Sequence, residues 1–158
     1  MAGFSVPAGT KVLLARETAA GPSVPYSMEK LCPVLAFYVM ENEDAVLNKC
    51  VEVLTHEGSG HTFSMHAEDT AVVRRFAEKI PVSRFLVNTP SALGGIGLTT
   101  GLFPALTLGC GAVGGSSSSD NIGPMHLVNI RRVAWGKEDK KEEAHLRVDQ
   151  ELVELITA

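Results

Sequence analysis

The segment Pro33–Asn88, PVLAFYVMENEDAVLNKCVEVLTHEGSGHTFSMHAEDTAVVRRFAEKIPVSRFLVN, decides the fold. Pro33–Met40 is apolar almost throughout and rich in β formers, which predicts a strand buried on both faces, as in a parallel sheet. In Glu43–His56, Val46, Leu47, Cys50 and Leu54 recur at helical spacing and Gly58 follows the end, so a helix capped by Asn42 or Asp44 is predicted. Thr62–His66 reads as a short strand. Asp69–Lys79 reads as a second helix, with Val72, Val73, Phe76 and Ile80 on one stripe and Asp69 as its cap. Arg84–Asn88 closes the series as a short buried strand. The order β-α-β-α-β predicts an α/β fold with a mostly parallel sheet and flanking helices.

Upstream, Lys11–Ala15 reads as a buried strand after the turn Pro7-Ala8-Gly9, and Ala20–Pro25 is turn-rich. Downstream, His126–Trp135 (HLVNIRRVAW) reads as a further strand, although its apolar residues do not alternate strictly. Lys137–Glu143 mixes both charge signs and reads as a solvated linker. Val148–Ile156 has the period of a short amphipathic helix. Two regions result: 1–136, and a linker with tail helix over 137–158.

The bulk numbers narrow the function. At 158 residues, with 45% apolar and 20% charged, the chain fits one globular domain. A net charge of −4 argues against nucleic acid as a partner. The uncharged run Phe85–Ser119 is long enough to span a bilayer, but its eight glycines and Pro104 make a transmembrane helix a poor reading. MAGFSVPAG lacks the features of a signal peptide. Cys32, Cys50 and Cys110 form no CxxC pair, so neither zinc nor a disulfide framework is expected. The expectation is a cytoplasmic protein without metal.

The chemistry concentrates in LTLGCGAVGGSSSSDN, residues 106–121. Glycine permits close backbone approach and positive φ. The loop therefore reads either as a phosphate cradle built from backbone amides or as a structural turn, and it matches neither the P-loop nor the dinucleotide glycine pattern. Cys110 reads as a nucleophile only if a base or positive charge activates it, and otherwise as a small packed residue. Cys32 and Cys50 read as packing cysteines. His56, His61 and His66 form a weak metal set, because a spacing of five puts His61 and His66 on opposite faces of a strand. Glu29, at the entrance of the Pro33 strand, reads either as an exposed glutamate or as an acceptor for a ligand hydroxyl.

LTLGCGAVGGSSSSDNIGPMHLVNIRRVAWG resembles the C-terminal signature of the CoA-acylating aldehyde dehydrogenases, and is similar to the aldehyde dehydrogenase half of bifunctional aldehyde–alcohol dehydrogenases. AGFSVPAGTKVLLA, MEKLCPVLAFY, the Gly60–Thr62 GHT and PVSRFLVNTPSALGGIGLTTG agree with it, in order, over about Ala2–Gly136. The resemblance implies part of an aldehyde dehydrogenase catalytic domain. It implies NAD as cofactor, coenzyme A as co-substrate and a short aldehyde as substrate. It implies that Glu29, in Glu29-Lys30-Leu31-Cys32-Pro33-Val34, contacts the nicotinamide ribose. It also implies that the catalytic cysteine and the NAD domain lie outside this sequence, so no catalytic residue is expected here and the chain alone is expected to be inactive. Cys110 occupies the family's LGCG position, beside the active site. Residues 126–135 are implied to pair across subunits in a homo-oligomer. The tail helix is a candidate for attachment to a bacterial microcompartment shell. The alternative is a non-catalytic assembly module derived from the same fold.

Overall fold

In the computed structural model, residues 5–137 are described. The elements run β1 (Leu13–Arg16), β2 (Val34–Phe37), α1 (Glu43–Glu57), β3 (Gly60–Met65), α2 (Thr70–Lys79), β4 (Val82–Val87) and α3 (Ser91–Gly95). The predicted caps are in place. The Asn42 side chain accepts from the Ala45 N–H at 2.9 Å, and Asp69 accepts from the Ala71 N–H at 2.7 Å. Each satisfies an amide that the first helical turn leaves without a partner. The turn at Pro7–Thr10 is closed by the Thr10 N–H donating to the Pro7 carbonyl at 3.2 Å.

The class is α/β with parallel strands, as expected, but the single sheet resolves into two pairs. β1 pairs with β2, Leu13 opposite Val34, and β3 pairs with β4, Thr62 opposite Arg84; both pairs are parallel. Hydrophobic period identifies strands and crossover helices, but it does not encode which strand edges meet. β2 was expected to be buried on both faces. It is instead exposed at alternate residues, with Leu35 53% exposed and Leu14 on β1 63% exposed. A two-stranded pair with so little covering it leaves apolar side chains in water, although their composition suits a buried sheet.

The packed centre lies on the other pair. α2 turns Phe76 inward, and Phe76, Ile80 and Leu86 are buried. Phe63 on β3 meets Phe85 on β4 with ring centroids 5.2 Å apart. Arg75 on α2 reaches Glu43 at 2.9 Å and Asp44 at 3.2 Å at the start of α1. These pairs are partly exposed, so they orient the two helices more than they stabilise them. Asn88 directly follows β4 with φ +53°, and its side chain both accepts from the Ala67 N–H and donates to the Ala67 carbonyl. That bracket replaces the ladder where β3 and β4 stop.

The chain divides into two units, 1–127 and 128–158. The strand expected over His126–Trp135 is not formed: Pro124–His126 is a 3-10 turn, and residues 128–137 carry no helix or strand. A strand takes its hydrogen bonds from a neighbour, and among the described residues no strand pairs with this segment. The amphipathic helix expected over 148–156 lies outside the described residues, as does most of the charged linker.

Candidate functional site

The glycine-rich stretch folds into a tongue. Leu108 and Asn121 form an antiparallel bridge, with the Ile122 N–H donating to the Thr107 carbonyl at 2.9 Å. The Gly109 N–H donates to the Asp120 carbonyl and the Gly111 N–H to the Ser118 carbonyl, both at 2.9 Å. A 3-10 turn over Ala112–Gly114 forms the tip. Several of the amides in this loop are used inside the tongue. Cys110 N–H donates to the Ser116 hydroxyl at 3.2 Å, Gly114 N–H to the Cys110 carbonyl, and Ser116 N–H to the Gly111 carbonyl. The serines close the turn, so these amides lend no support to the phosphate-cradle reading. Cys110 is half-buried, and its thiol donates to the Gly114 carbonyl at 3.3 Å.

Arg84 holds the tongue to the sheet. It projects from β4 and is 3% exposed, with no carboxylate among its hydrogen-bond partners. Nε donates to the Thr62 hydroxyl at 3.1 Å, Nη1 to the Ser119 carbonyl at 3.1 Å, and Nη2 to the His61 carbonyl at 3.1 Å and the Gly109 carbonyl at 2.6 Å. The guanidinium's fixed fork suits such divergent acceptors. Burial lowers the Arg84 pKa from its ordinary value, and the nearby Cys110 pulls it back up.

Beside this clamp lies a cleft of about 670 Å³, lined by Arg84, Leu102, Phe103, Asn121, Met125 and His126 among others. Asn121 is 7% exposed, and its amide donates to the Gly95 carbonyl at 2.9 Å and the Phe103 carbonyl at 2.7 Å. It thus ties the end of α3 and the Phe103 loop to the root of the tongue. His126 sits at the mouth. Its Nδ1 lies 3.0 Å from the Gly123 nitrogen and 3.2 Å from the Gly123 carbonyl oxygen, and its Nε2 lies 3.4 Å from Asp120 Oδ2. A mostly apolar cleft with a few fixed polar groups is the usual form of a small-molecule site.

The sequence-level candidates are dispersed around this centre. Glu29 is exposed and outside the cleft; its backbone N–H donates to the Glu57 carboxylate at the end of α1. Its own carboxylate has no hydrogen-bond partner among the described residues and is open to a hydroxyl donor. Cys32 is exposed, so its reading as a packing cysteine is corrected: it lies outside the packed centre that α2 and the β3–β4 pair build. Cys50 is half-buried on α1, and burial pushes its thiol pKa up, as for a packed residue. His61 and His66 are both exposed, and among the described residues no three His, Cys, Asp or Glu side chains are placed to hold a metal ion. Sequence reasoning passed over Arg84, Asn121 and His126. The available signal for Arg84 was a charged residue in a strand predicted to be buried, which demands partners.

No protein-family model matches the chain. It is 41% identical over 139 residues to the bifunctional aldehyde-alcohol dehydrogenase AdhE of Escherichia coli K12, covering 85% of this chain and 16% of that protein. It is 33% identical over 141 residues to an acetylating succinate-semialdehyde dehydrogenase of Clostridium kluyveri, covering 89% of this chain and 31% of the relative. Among solved structures it is similar to a probable aldehyde dehydrogenase from Listeria monocytogenes, with TM-score 0.81 and 59% identity over 87% of this chain and 30% of that one. It is also similar to an acetylating aldehyde dehydrogenase from Geobacillus thermoglucosidasius, with TM-score 0.81 and 40% identity over 89% of this chain and 31% of that one.

Parallel strands crossed by helices, with a glycine tongue clamped across a strand end, form part of an α/β dehydrogenase fold. Over most of its length this chain is similar to one segment of aldehyde-alcohol dehydrogenases and acylating aldehyde dehydrogenases. It spans about a third or less of the length of these relatives.

Proposed function

We propose that this chain contributes part of the active site of an NAD-dependent, CoA-acylating aldehyde dehydrogenase that converts a short aldehyde to its acyl-CoA. The observation that carries this reading is 40% identity, at TM-score 0.81, to an acetylating enzyme over 89% of the chain. NAD, when bound, supplies the hydride acceptor and coenzyme A the acyl acceptor. The chain's own residues bind and shape. The free Glu29 carboxylate accepts hydrogen bonds from the ribose hydroxyls of the nicotinamide half. The clamped tongue forms the rim, and the apolar walls at Leu102 and Phe103 limit water around the aldehyde. No residue of this chain is assigned as the nucleophile.

Purified alone, the 158-residue chain is expected to form no acyl-CoA from acetaldehyde or propionaldehyde with NAD and coenzyme A. Turnover above background would sink that expectation and return Cys110 to candidacy as nucleophile. The functional reading itself is tested by a chimera in which residues 5–137 replace the matching segment of the Geobacillus enzyme. The chimera should retain acylating activity, and Glu29→Gln within it should raise the KM for NAD about tenfold, the scale of one charge-assisted hydrogen bond. A folded but inactive chimera would refute the assignment.

Residues 126–135 are proposed to act as a strand between subunits of a cytoplasmic homo-oligomer, with the dimer as the unit. Two features support this: among the described residues the segment has no strand partner, and none lies along the outer edge of β4. Free edges of this kind are pairing templates. Sedimentation of the chain should show a dimer, and Ile130→Pro should shift it to monomer; a monomer at high concentration before any substitution would exclude the proposal. Attachment of the tail to a microcompartment shell belongs to the same proposal. The second reading, a non-catalytic assembly module, draws its support from the exposed apolar residues of β1 and β2.

A further inference from the structure

We propose that Arg84 is the positioning residue for the tongue: its guanidinium fixes residues 109–120 against the start of β3, and so sets Cys110 and the His61–Thr62 backbone in one geometry. Asn121 ties the root of the tongue and its backbone packs against Gly60, and Arg84 adds the side-chain hydrogen bonds that join it to β3. Its tip residues Ala112–Gly115 are exposed, and none of its residues belongs to the buried apolar centre. Its internal hydrogen bonds fix its shape but not its place. Arg84 makes the side-chain link across the gap, spending two donors on the tongue (Gly109 and Ser119 carbonyls) and two on β3 (the His61 carbonyl and Thr62 hydroxyl). The absence of a carboxylate among these partners matters. An ion pair would serve charge neutralisation, whereas a guanidinium spread over carbonyls on two segments serves geometry. A lysine brings the charge to the same place but has one compact head, which cannot span both segments.

The proposal adds a purpose to the functional reading above if the tongue is the rim of that site, but its test does not depend on that reading. The full chain is labelled with iodoacetamide, and each cysteine is followed separately by peptide mass spectrometry. Cys110 reports the tongue, Cys50 the α1 packing, and exposed Cys32 serves as the internal reference. In Arg84→Ala, Cys110 labelling should rise about tenfold through local opening of the tongue, while Cys32 and Cys50 keep their rates. Guanidinium ion at tens of millimolar should restore protection of Cys110 by reoccupying the vacated site, a rescue that general loosening of the fold would not show. Arg84→Lys, which keeps stem and charge, should show the same selective rise. Wild-type Cys110 rates in Arg84→Lys, or a folded Arg84→Ala that guanidinium fails to protect, would overturn the proposal. So would equal acceleration of Cys50 and Cys110 in both variants, since Arg84 would then support the whole fold and not the tongue. Because the readout is thiol accessibility, failure here leaves the chimera assay untouched, and an inactive chimera leaves this result standing.

Discussion

Gly60→Ala is expected to destabilise the protein by about 3–5 kcal/mol, at the upper end of what single substitutions do. Gly60 opens β3 at φ +102°, a conformation that costs an L residue strain whatever the space around it. There is also no space. A Cβ at this position would overlap the Cys110 carbonyl oxygen and would lie 2.7 Å from the Gly114 nitrogen. Both obstacles are backbone, so neither can swing aside. The Gly60 N–H meanwhile donates to the Pro81 carbonyl at 2.8 Å, which pins the strand in place. The substitution must therefore push the tongue off β3 or break the start of the β3–β4 ladder. Urea unfolding followed by far-UV circular dichroism measures the loss. Gly101→Ala is the matched control: nothing lies within 4 Å of its added Cβ, so a change within about 0.5 kcal/mol is expected. Equal stability of the two variants would show that the tongue does not sit on Gly60.

Asn121→Ala should cost about 2–4 kcal/mol, because it strands two carbonyls that the asparagine amide now satisfies. The site is buried, so water does not simply replace the lost donors. Asn121→Asp is the sharper variant. It keeps the shape but replaces the donating amide with an acceptor-only carboxylate facing the Gly95 and Phe103 carbonyls. It should be at least as destabilising at neutral pH and should recover part of that loss in acid, where the carboxyl protonates and can donate once. The sign follows from burial and from the acceptors it faces: both raise the folded-state pKa of the new carboxyl above its unfolded value, so stability falls as pH rises through that range. Thermal melts at several pH values read this out, and a pH-independent loss would show that the carbonyls are not the cause.

Much of the central α/β pattern was legible in sequence. Val46, Leu47, Cys50 and Leu54 announced α1, and Asn42 and Asp69 announced the two caps, because helical period and capping are local properties. Strand pairing was not legible. Nothing in PVLAFYVM states whether β2 meets β1 or β3, and the exposure of Leu35 reflects the neighbours present around it, not its own sequence. The tongue was seen as important but misread in detail. A count of glycines suggests open amides, whereas Ser116 and Ser118 consume several of them at close range. The candidate site was hardest to read, because Arg84, Asn121 and His126 come from separate parts of the chain and meet only through the fold. Glu29 entered as one of two readings of a carboxylate at a strand entrance, the resemblance gave it a role, and its open carboxylate is the feature that bears on it.

Three of the four acceptors that Arg84 engages are peptide carbonyls. A carbonyl is present whichever amino acid occupies the position. The anchor is therefore largely indifferent to the side chains of the segment it holds, apart from the glycines whose backbone geometry it requires. Val113, 66% exposed at the tip, and its neighbour Ala112 can change identity without loosening the attachment. The tongue is thus a stretch where new side chains can be tried at low structural risk, and where divergence among related chains can alter what the rim touches while its position stays constant.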